Sequence, residues 1–191
     1  YFSVDGGSAI QLGYIPAGTT PKSRIVTPAT ADRNLFVLSR TFQMLYSPAA
    51  VGVPVGATIN GVTWRLQPNA TDDFPAADVS FTRFDLWMST SPRTPATASP
   101  TIATNDGSDL VQVRSGPLSL NRGSWSARST SDREDWGVFI QFTRPFVYQG
   151  GTLAFTIRSS FPIGPTSAAF ETTFDSEPVS DIQGVRDSGN P

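Results

Sequence analysis

Apolar and polar residues alternate with a period of two over most of this chain, notably in the segments 35–47, 58–67, 80–90 and 136–144. β-branched and aromatic side chains are frequent in these segments, and such alternation is typical of strands that bury one face. The predicted inward-facing residues are Phe36, Leu38, Phe42, Met44, Tyr46, Val62, Trp64, Leu66, Phe84, Leu86, Met88, Trp136, Val138, Ile140 and Phe142, with Phe81 and Trp87 facing the opposite way.

Turn signals separate the alternating segments. Gly150 and Gly151 lie between two alternating arms, 146–149 and 152–158. This glycine pair predicts a tight hairpin, because glycine adopts positive φ without steric cost. A further turn is predicted at 115–117 and a last strand at 168–174, and no segment indicates a helix longer than a turn or two.

These patterns predict an all-β fold: an antiparallel β-sandwich of the jelly-roll type with about eight to ten strands, long loops and little or no helix. We divide the chain into an N-terminal strand and tether (1–34), a β-sandwich domain (35–174) and a polar C-terminal tail (175–191). Long loops are predicted at 68–78 and 91–109. Loops of this length are where binding and assembly functions tend to reside.

Composition narrows the chemistry that is available to this fold. The 191 residues include no Cys and no His, which excludes disulfides, thiolate chemistry and imidazole-based catalysis or zinc binding. The net charge of −2 supplies no basic field for nucleic acid. We therefore predict a protein that is not an enzyme and has no obligatory cofactor.

Several features favour a secreted protein at the cell surface. Only 16% of the residues are charged, and Ser, Thr, Pro and Gly are abundant instead. No apolar run approaches the roughly 20 residues that a membrane-spanning helix needs. The chain begins with Tyr1 in place of Met, which favours export followed by removal of a signal peptide.

Two acidic clusters, at 72–78 and 105–109, are candidate calcium sites. Calcium takes six to eight oxygen ligands in flexible geometry, and loop carboxylates near a glycine supply them. Neither cluster has the EF-hand spacing, and Asp side chains are equally common in turns, where they bond to their own backbone. The candidate ligands are Asp72, Asp73, Asp78, Asp106 and Asp109.

Two tryptophans are candidates for stacking against a sugar. Trp64 and Trp136 fall in register with core positions, whereas Trp87 opposes the apolar face of its strand and Trp125 lies in a polar stretch. Asn69 begins an Asn-Ala-Thr triplet, a candidate N-glycosylation site. Asp85, which follows Phe84, is a candidate acid for glycoside hydrolysis, although pairing with a neighbouring Arg or exposure to solvent is the favoured interpretation.

The segments 86–90, 105–110 and 145–153 together resemble secreted bacterial β-sandwich surface proteins, a group that often carries PEP-type C-terminal sorting signals. The resemblance covers Phe84 to Ile157 and rests on strand and turn motifs. It implies export and a role at the cell surface or in the extracellular matrix, and it brings no catalytic residues. The chain departs from the pattern because its last residues contain no hydrophobic sorting helix.

The favoured functional prediction is a self-assembling extracellular subunit, such as a pilus-like filament or a surface layer, whose partners are copies of itself. Its assembly residues would be Ile10, Leu12 and Tyr14, an alternating patch that would complete the sheet of a neighbouring copy or of its own domain. The alternative is a carbohydrate-binding or adhesive module that binds surface polysaccharide. A viral jelly-roll capsid subunit and a carboxylate-dependent glycosidase are further alternatives.

Overall fold

The computed structural model describes residues 2–4, 39–64, 66, 71–127, 137–164 and 182–187. All of their strand pairings are antiparallel and helix is confined to single turns, so the prediction of an all-β antiparallel fold is confirmed. The strands are β1 (Phe2–Val4), β2 (Arg40–Tyr46), β3 (Thr58–Val62), β4 (Val79–Phe81), β5 (Phe84–Ser91), β6 (Val111–Arg114), β7 (Leu118–Leu120), β8 (Ile140–Val147), β9 (Thr152–Ser159), β10 (Pro162–Ile163) and β11 (Ile182–Asp187).

The helical turns are α1 (Pro48–Val51) and two 3₁₀ turns, Pro95–Thr97 and Ile102–Thr104. Ser47 caps α1 by accepting a hydrogen bond from the backbone N–H of Ala50, which is the usual role of serine at this position. In the described part of the chain, no helix combines the length and the apolar character of a membrane span.

The strands form three sheets, in the orders β11-β2-β9-β5-β6, β1-β3-β8 and β10-β4-β7. Side chains from all three sheets join in one apolar cluster, which makes this cluster the core of the described fold. Met44 of β2, Ile59 of β3 and Phe84 of β5 are fully buried in it. Because burial of each such side chain contributes about 1.5–3 kcal/mol, this shared core holds the sheets together.

The register of the five-stranded sheet places the predicted inward residues on one face. Met44 lies opposite Phe155, which in turn lies opposite Met88. Phe42 and Leu86 flank Ile157 in the neighbouring row. The alternation in the sequence therefore predicted the core face of β2 and β5 correctly.

The opposite face of β2 is also buried, which the alternation did not predict. All seven residues of β2 are buried, including the outward-facing Thr41, Gln43 and Leu45. The cause is the segment 92–110, named here the latch loop, which lies over this face and bonds to Gln43 of β2 through Asn105 and Asp106. The alternation predicts that β2 buries one face, whereas in the structure both of its faces are buried.

The segment 80–90 is not the single strand that its alternation predicted. It divides into β4 and β5, which belong to different sheets, because pairing stops at Thr82 and Arg83. Phe81 and Phe84 therefore both point into the core, with ring centroids 5.7 Å apart. The prediction that Phe81 faces away from the core is wrong for this reason.

The segment around Gly150 and Gly151 is not a hairpin. Both glycines have positive φ, at 89° and 77°, as the turn prediction required. However, β8 before the turn pairs with β3, whereas β9 after it pairs with β2 and β5. The turn thus carries the chain from one sheet to another. In the strand before the turn, the predicted inward-facing residues are buried from Ile140 onward, whereas Val138 is exposed.

Both ends of the described chain form edge strands. Ile182–Asp187, within the region predicted to be a polar tail, forms a strand that pairs with residues 41–46 of β2. β1 pairs with β3, with Phe2 opposite Val62 and Val4 opposite Ile59. The predicted assembly residues Ile10, Leu12 and Tyr14 lie outside the described residues, as do Phe36, Leu38, Trp136 and the strand predicted at 168–174.

Candidate functional site

The face of the five-stranded sheet that points away from the core carries two polar rows. Residues paired across antiparallel strands share a face, so Gln43, Thr156, Trp87 and Gln112 line one row. Arg158 lies in the next row, where its partners are Thr41 and Asp85. The two rows therefore place polar side chains in the middle of the five-stranded sheet.

Trp87 and Arg158 form a stack on this face. The Arg158 guanidinium carbon lies 4.8 Å from the centroid of the Trp87 ring, a distance at which a cation is attracted to the ring face. Arg158 is exposed and Trp87 is half-buried. The pair therefore offers a ligand an aromatic surface and a fixed set of guanidinium donors.

The latch loop bounds this stack on one side, and buried amide groups hold it in place. The Nδ2 of Asn105 donates to the Oε1 of Gln43 at 2.8 Å and to the carbonyl of Ser99 at 2.9 Å. The Oδ1 of Asn105 accepts from the backbone N–H of Ser99 at 2.8 Å. Both amide side chains are completely buried, so these hydrogen bonds replace the water that the groups lost on folding.

Two further contacts tie the loop to β5. Asp109 accepts from the backbone N–H and from the hydroxyl of Thr90, both at 2.7 Å. Gly107 donates its N–H to the hydroxyl of Ser89 at 3.0 Å. A β-carbon on Gly107 would lie 1.9 Å from the carbonyl oxygen of Thr90, so glycine is the residue that permits this approach.

Asp106 stands where the latch loop meets the stack. Its Oδ1 accepts a hydrogen bond of 2.8 Å from the Nε2 of Gln43, which also donates to the hydroxyl of Thr156 at 3.0 Å. Burial raises the pKa of the Asp106 carboxyl, while the Gln43 hydrogen bond and the charge of Arg158 act to lower it. We call Trp87, Arg158 and Asp106 together the Trp87 site.

Trp125, the other tryptophan predicted to be exposed, is buried, and that prediction is wrong. It is 1% exposed, and its backbone exchanges two hydrogen bonds of 2.7 Å with Phe74. Its indole N–H donates to the carbonyl of Trp64 at 3.0 Å, which satisfies the polar end of the ring inside the core. The polar neighbours of Trp125 in the sequence gave no sign of this bridge.

The three carboxylates of the first acidic cluster each accept a separate hydrogen bond. Asp73 accepts from the backbone N–H of Ala127, and Asp78 accepts from that of Arg122, each at 2.7 Å. Asp72 accepts from the hydroxyl of Thr71 at 2.8 Å. Asp73 and Asp78 thus bond to the backbone of the segment 122–127 and not to their own turn, so they join two distant loops.

The described ranges contain no group of three or more Asp, Glu, His or Cys residues placed to hold a metal. Asp106 and Asp109 of the second cluster are engaged by Gln43 and Thr90, as described above. Calcium binding remains a prediction that no geometry in this part of the chain supports. Asn69 lies outside the described residues.

Asp85, the candidate acid, is part of a loop anchor. Its Oδ1 accepts from the backbone N–H of Gly116 at 2.9 Å. Its charge also acts on the neighbouring Arg114, whose guanidinium donates to the carbonyls of Phe84, Gly116 and Pro117. These contacts correspond to the favoured interpretation, in which Asp85 pairs with an Arg.

Of the residues that build the Trp87 site, the sequence identified Trp87 and Asp106 and missed the other contributors. Gln43 carried a weak signal, since it is the amide in the middle of an otherwise apolar strand. Arg158 carried none, because a charged residue near the end of a strand is ordinarily solvent-exposed and unremarkable. The stack depends on the register between β5 and β9, which only the fold supplies.

Comparisons of the chain with protein-family profiles, with curated proteins and with solved structures gave no match.

Proposed function

We propose that this protein is an extracellular β domain that binds carbohydrate through the Trp87 site. The observation that carries the proposal is the Trp87–Arg158 stack, which lies beside Asp106 on a loop held by fully buried amides. A site of this kind is pre-organised, and pre-organisation lowers the entropy lost on binding.

The residue types of the site match the chemistry of a sugar ring. A saccharide presents hydroxyls, which both donate and accept hydrogen bonds, and a patch of C–H groups that packs against aromatic rings. Arg158 supplies donors only, whereas an ionised Asp106 supplies acceptors only. Trp87 supplies the apolar surface between them.

The proposed role is binding without catalysis. Asp85, the carboxylate nearest to Arg158 in the sheet register, is occupied by Gly116 and by the charge of Arg114. A carboxylate held in this way is poorly placed to transfer a proton to a ligand. Secretion and a location at the cell surface belong to the same proposal and rest on composition and on the resemblance of residues 84–157.

Affinity electrophoresis in gels that contain a panel of soluble polysaccharides tests the proposal. We expect at least one polymer to retard the wild-type protein, and Trp87→Ala to weaken that binding by about tenfold, which corresponds to about 1.4 kcal/mol. Phe161→Ala is the matched control, because Phe161 is an exposed aromatic residue that directly precedes β10, a strand of another sheet. Equal retardation of wild type and Trp87→Ala would refute the assignment of the site.

Assembly of copies of this chain is the second candidate function. The supporting observation is that β1, at the edge of its sheet, is joined to β3 by the pairing of only three residues. A short edge strand is readily exchanged between copies, because each copy offers the same acceptor strand.

Removal of residues 1–20 tests this second proposal. The expected result is that the full chain forms filaments or oligomers in electron micrographs and light scattering, while the shortened chain stays monomeric. If both proteins are monomers at the same concentrations, assembly through this strand is refuted.

A further inference from the structure

The charges around the Trp87 site nearly cancel. Arg158 and Arg114 carry positive charge, and Asp85 and Asp106 carry negative charge. A charged polymer would therefore meet repulsion from one member of each pair, whereas an uncharged ligand would not.

Asp106 has one oxygen committed to the protein and one available to a ligand. Its Oδ1 accepts from Gln43, which is itself fixed by Asn105 and Thr156. Within the described residues, its Oδ2 has no hydrogen-bond partner. The carboxylate is therefore held in a fixed orientation by buried groups while it keeps an open acceptor position beside Arg158.

Donor and acceptor thus lie near each other over the outward face of the five-stranded sheet. Arg158 lies over Trp87, and its charge reaches Asp106. Two neighbouring hydroxyls of a sugar present the complementary pattern, since one can accept from a guanidinium while the other donates to a carboxylate. Both contacts are charge-assisted hydrogen bonds, which are about twice as strong as neutral ones.

We infer that the ligand of the Trp87 site is an uncharged saccharide with adjacent hydroxyls, one bound by the guanidinium of Arg158 and the other by the free oxygen of Asp106. This inference rests on the proposed carbohydrate-binding function and specifies its ligand class. It excludes polyuronates and sulfated polysaccharides as the preferred ligands. Asp106, which the sequence predicted only as a calcium ligand, thereby takes a direct part in binding the saccharide.

A matched pair of polymers tests the ligand class. Polygalacturonate and its carboxyl-reduced derivative share one backbone and differ in charge, and dextran serves as a second neutral polymer. We expect the reduced polymer or dextran to bind the full chain at least tenfold more tightly than polygalacturonate. We also expect this binding to change less than twofold between low and high salt, because no charged ligand group is screened.

Asp106→Asn tests the role of the carboxylate. The amide still accepts from Gln43 but loses the negative charge, so we expect about a tenfold loss of affinity for the neutral polymer without any loss of thermal stability. Asp72→Asn is the control, since it makes the same charge change at an exposed carboxylate of the 71–78 loop.

The outcomes separate the ligand class from the function itself. Stronger, salt-sensitive binding of polygalacturonate would overturn the neutral-ligand inference and leave carbohydrate binding standing. Unchanged neutral-polymer affinity in Asp106→Asn would overturn the role of Asp106. If neither the matched pair, nor dextran, nor the wider polysaccharide panel retards the protein, the proposed function fails and the inference fails with it.

Discussion

The buried amide of Gln43 gives the sharpest test of how the latch loop is held. Gln43 is completely buried and makes three side-chain hydrogen bonds, to Asp106, Thr156 and Asn105, at 2.8, 3.0 and 2.8 Å. Gln43→Leu removes all three while keeping nearly the same volume. The change therefore isolates the polar contribution from the packing contribution.

The magnitude follows from the partners that remain. Three net hydrogen bonds are worth about 3 kcal/mol, and the buried groups left without Gln43 add roughly 1–3 kcal/mol. The leucine side chain returns about 1.5–3 kcal/mol through burial of apolar surface. The expected net loss in the free energy of unfolding is therefore about 1–4.5 kcal/mol.

Urea unfolding and amide hydrogen exchange measure the two parts of this effect. We expect the unfolding midpoint to fall and the Gly107 amide, which bonds to Ser89, to exchange at least tenfold faster than in the wild type. Gln112→Leu, an exposed glutamine in the same sheet row, is the control and should change stability by less than about 0.5 kcal/mol. If neither the stability nor the exchange rate of the Gly107 amide changes in Gln43→Leu, the claim that Gln43 holds the latch loop on the sheet is refuted.

Three further predictions address stability. Trp125→Ala should lower the free energy of unfolding by about 3–5 kcal/mol in urea titrations because it empties a core position; a loss below about 1 kcal/mol would contradict its burial. Gly107→Ala should cost about 1–3 kcal/mol because its β-carbon meets the carbonyl of Thr90, whereas the exposed neighbour Ser108→Ala should cost little. The raised pKa of Asp106 means that its contribution to stability is greatest at low pH and is lost as pH rises through the folded-state pKa. Asp106→Asn should therefore gain stability relative to wild type as the pH rises above the ordinary carboxyl value of 3.8. Parallel curves for the two proteins would show that Asp106 is not desolvated.

The sequence predicted those features of the fold that depend on local alternation. Met44, Leu86 and Ile157 lie in the core because a period of two sets one face of each strand. Alternation cannot report a change of sheet, because the side chains continue to alternate while the hydrogen-bonding partners change. For this reason the alternation predicts continuous strand pairing at Thr82–Arg83 and at Gly150–Gly151, where the structure has a change of sheet.

The candidate site was predictable only in part for a related reason. Trp87 could be identified because it opposes its own strand's apolar residues. Its partner Arg158 is contributed by a strand about 70 residues later in the chain, and the pairing of β5 with β9 brings the two together. The burial of Gln43 depends in turn on the latch loop, which folds back over β2. The sequence of β2 alone cannot predict this covering.

The pairing of β11 with β2 has a consequence for synthesis. β2 is made early, but its outer neighbour in the sheet comes from Ile182–Asp187, roughly 140 residues later. Until those residues emerge, β2 has an unpaired edge that can join other chains. The five-stranded sheet is therefore completed only after most of the chain has left the ribosome, and chains cut short before β11 should aggregate through β2.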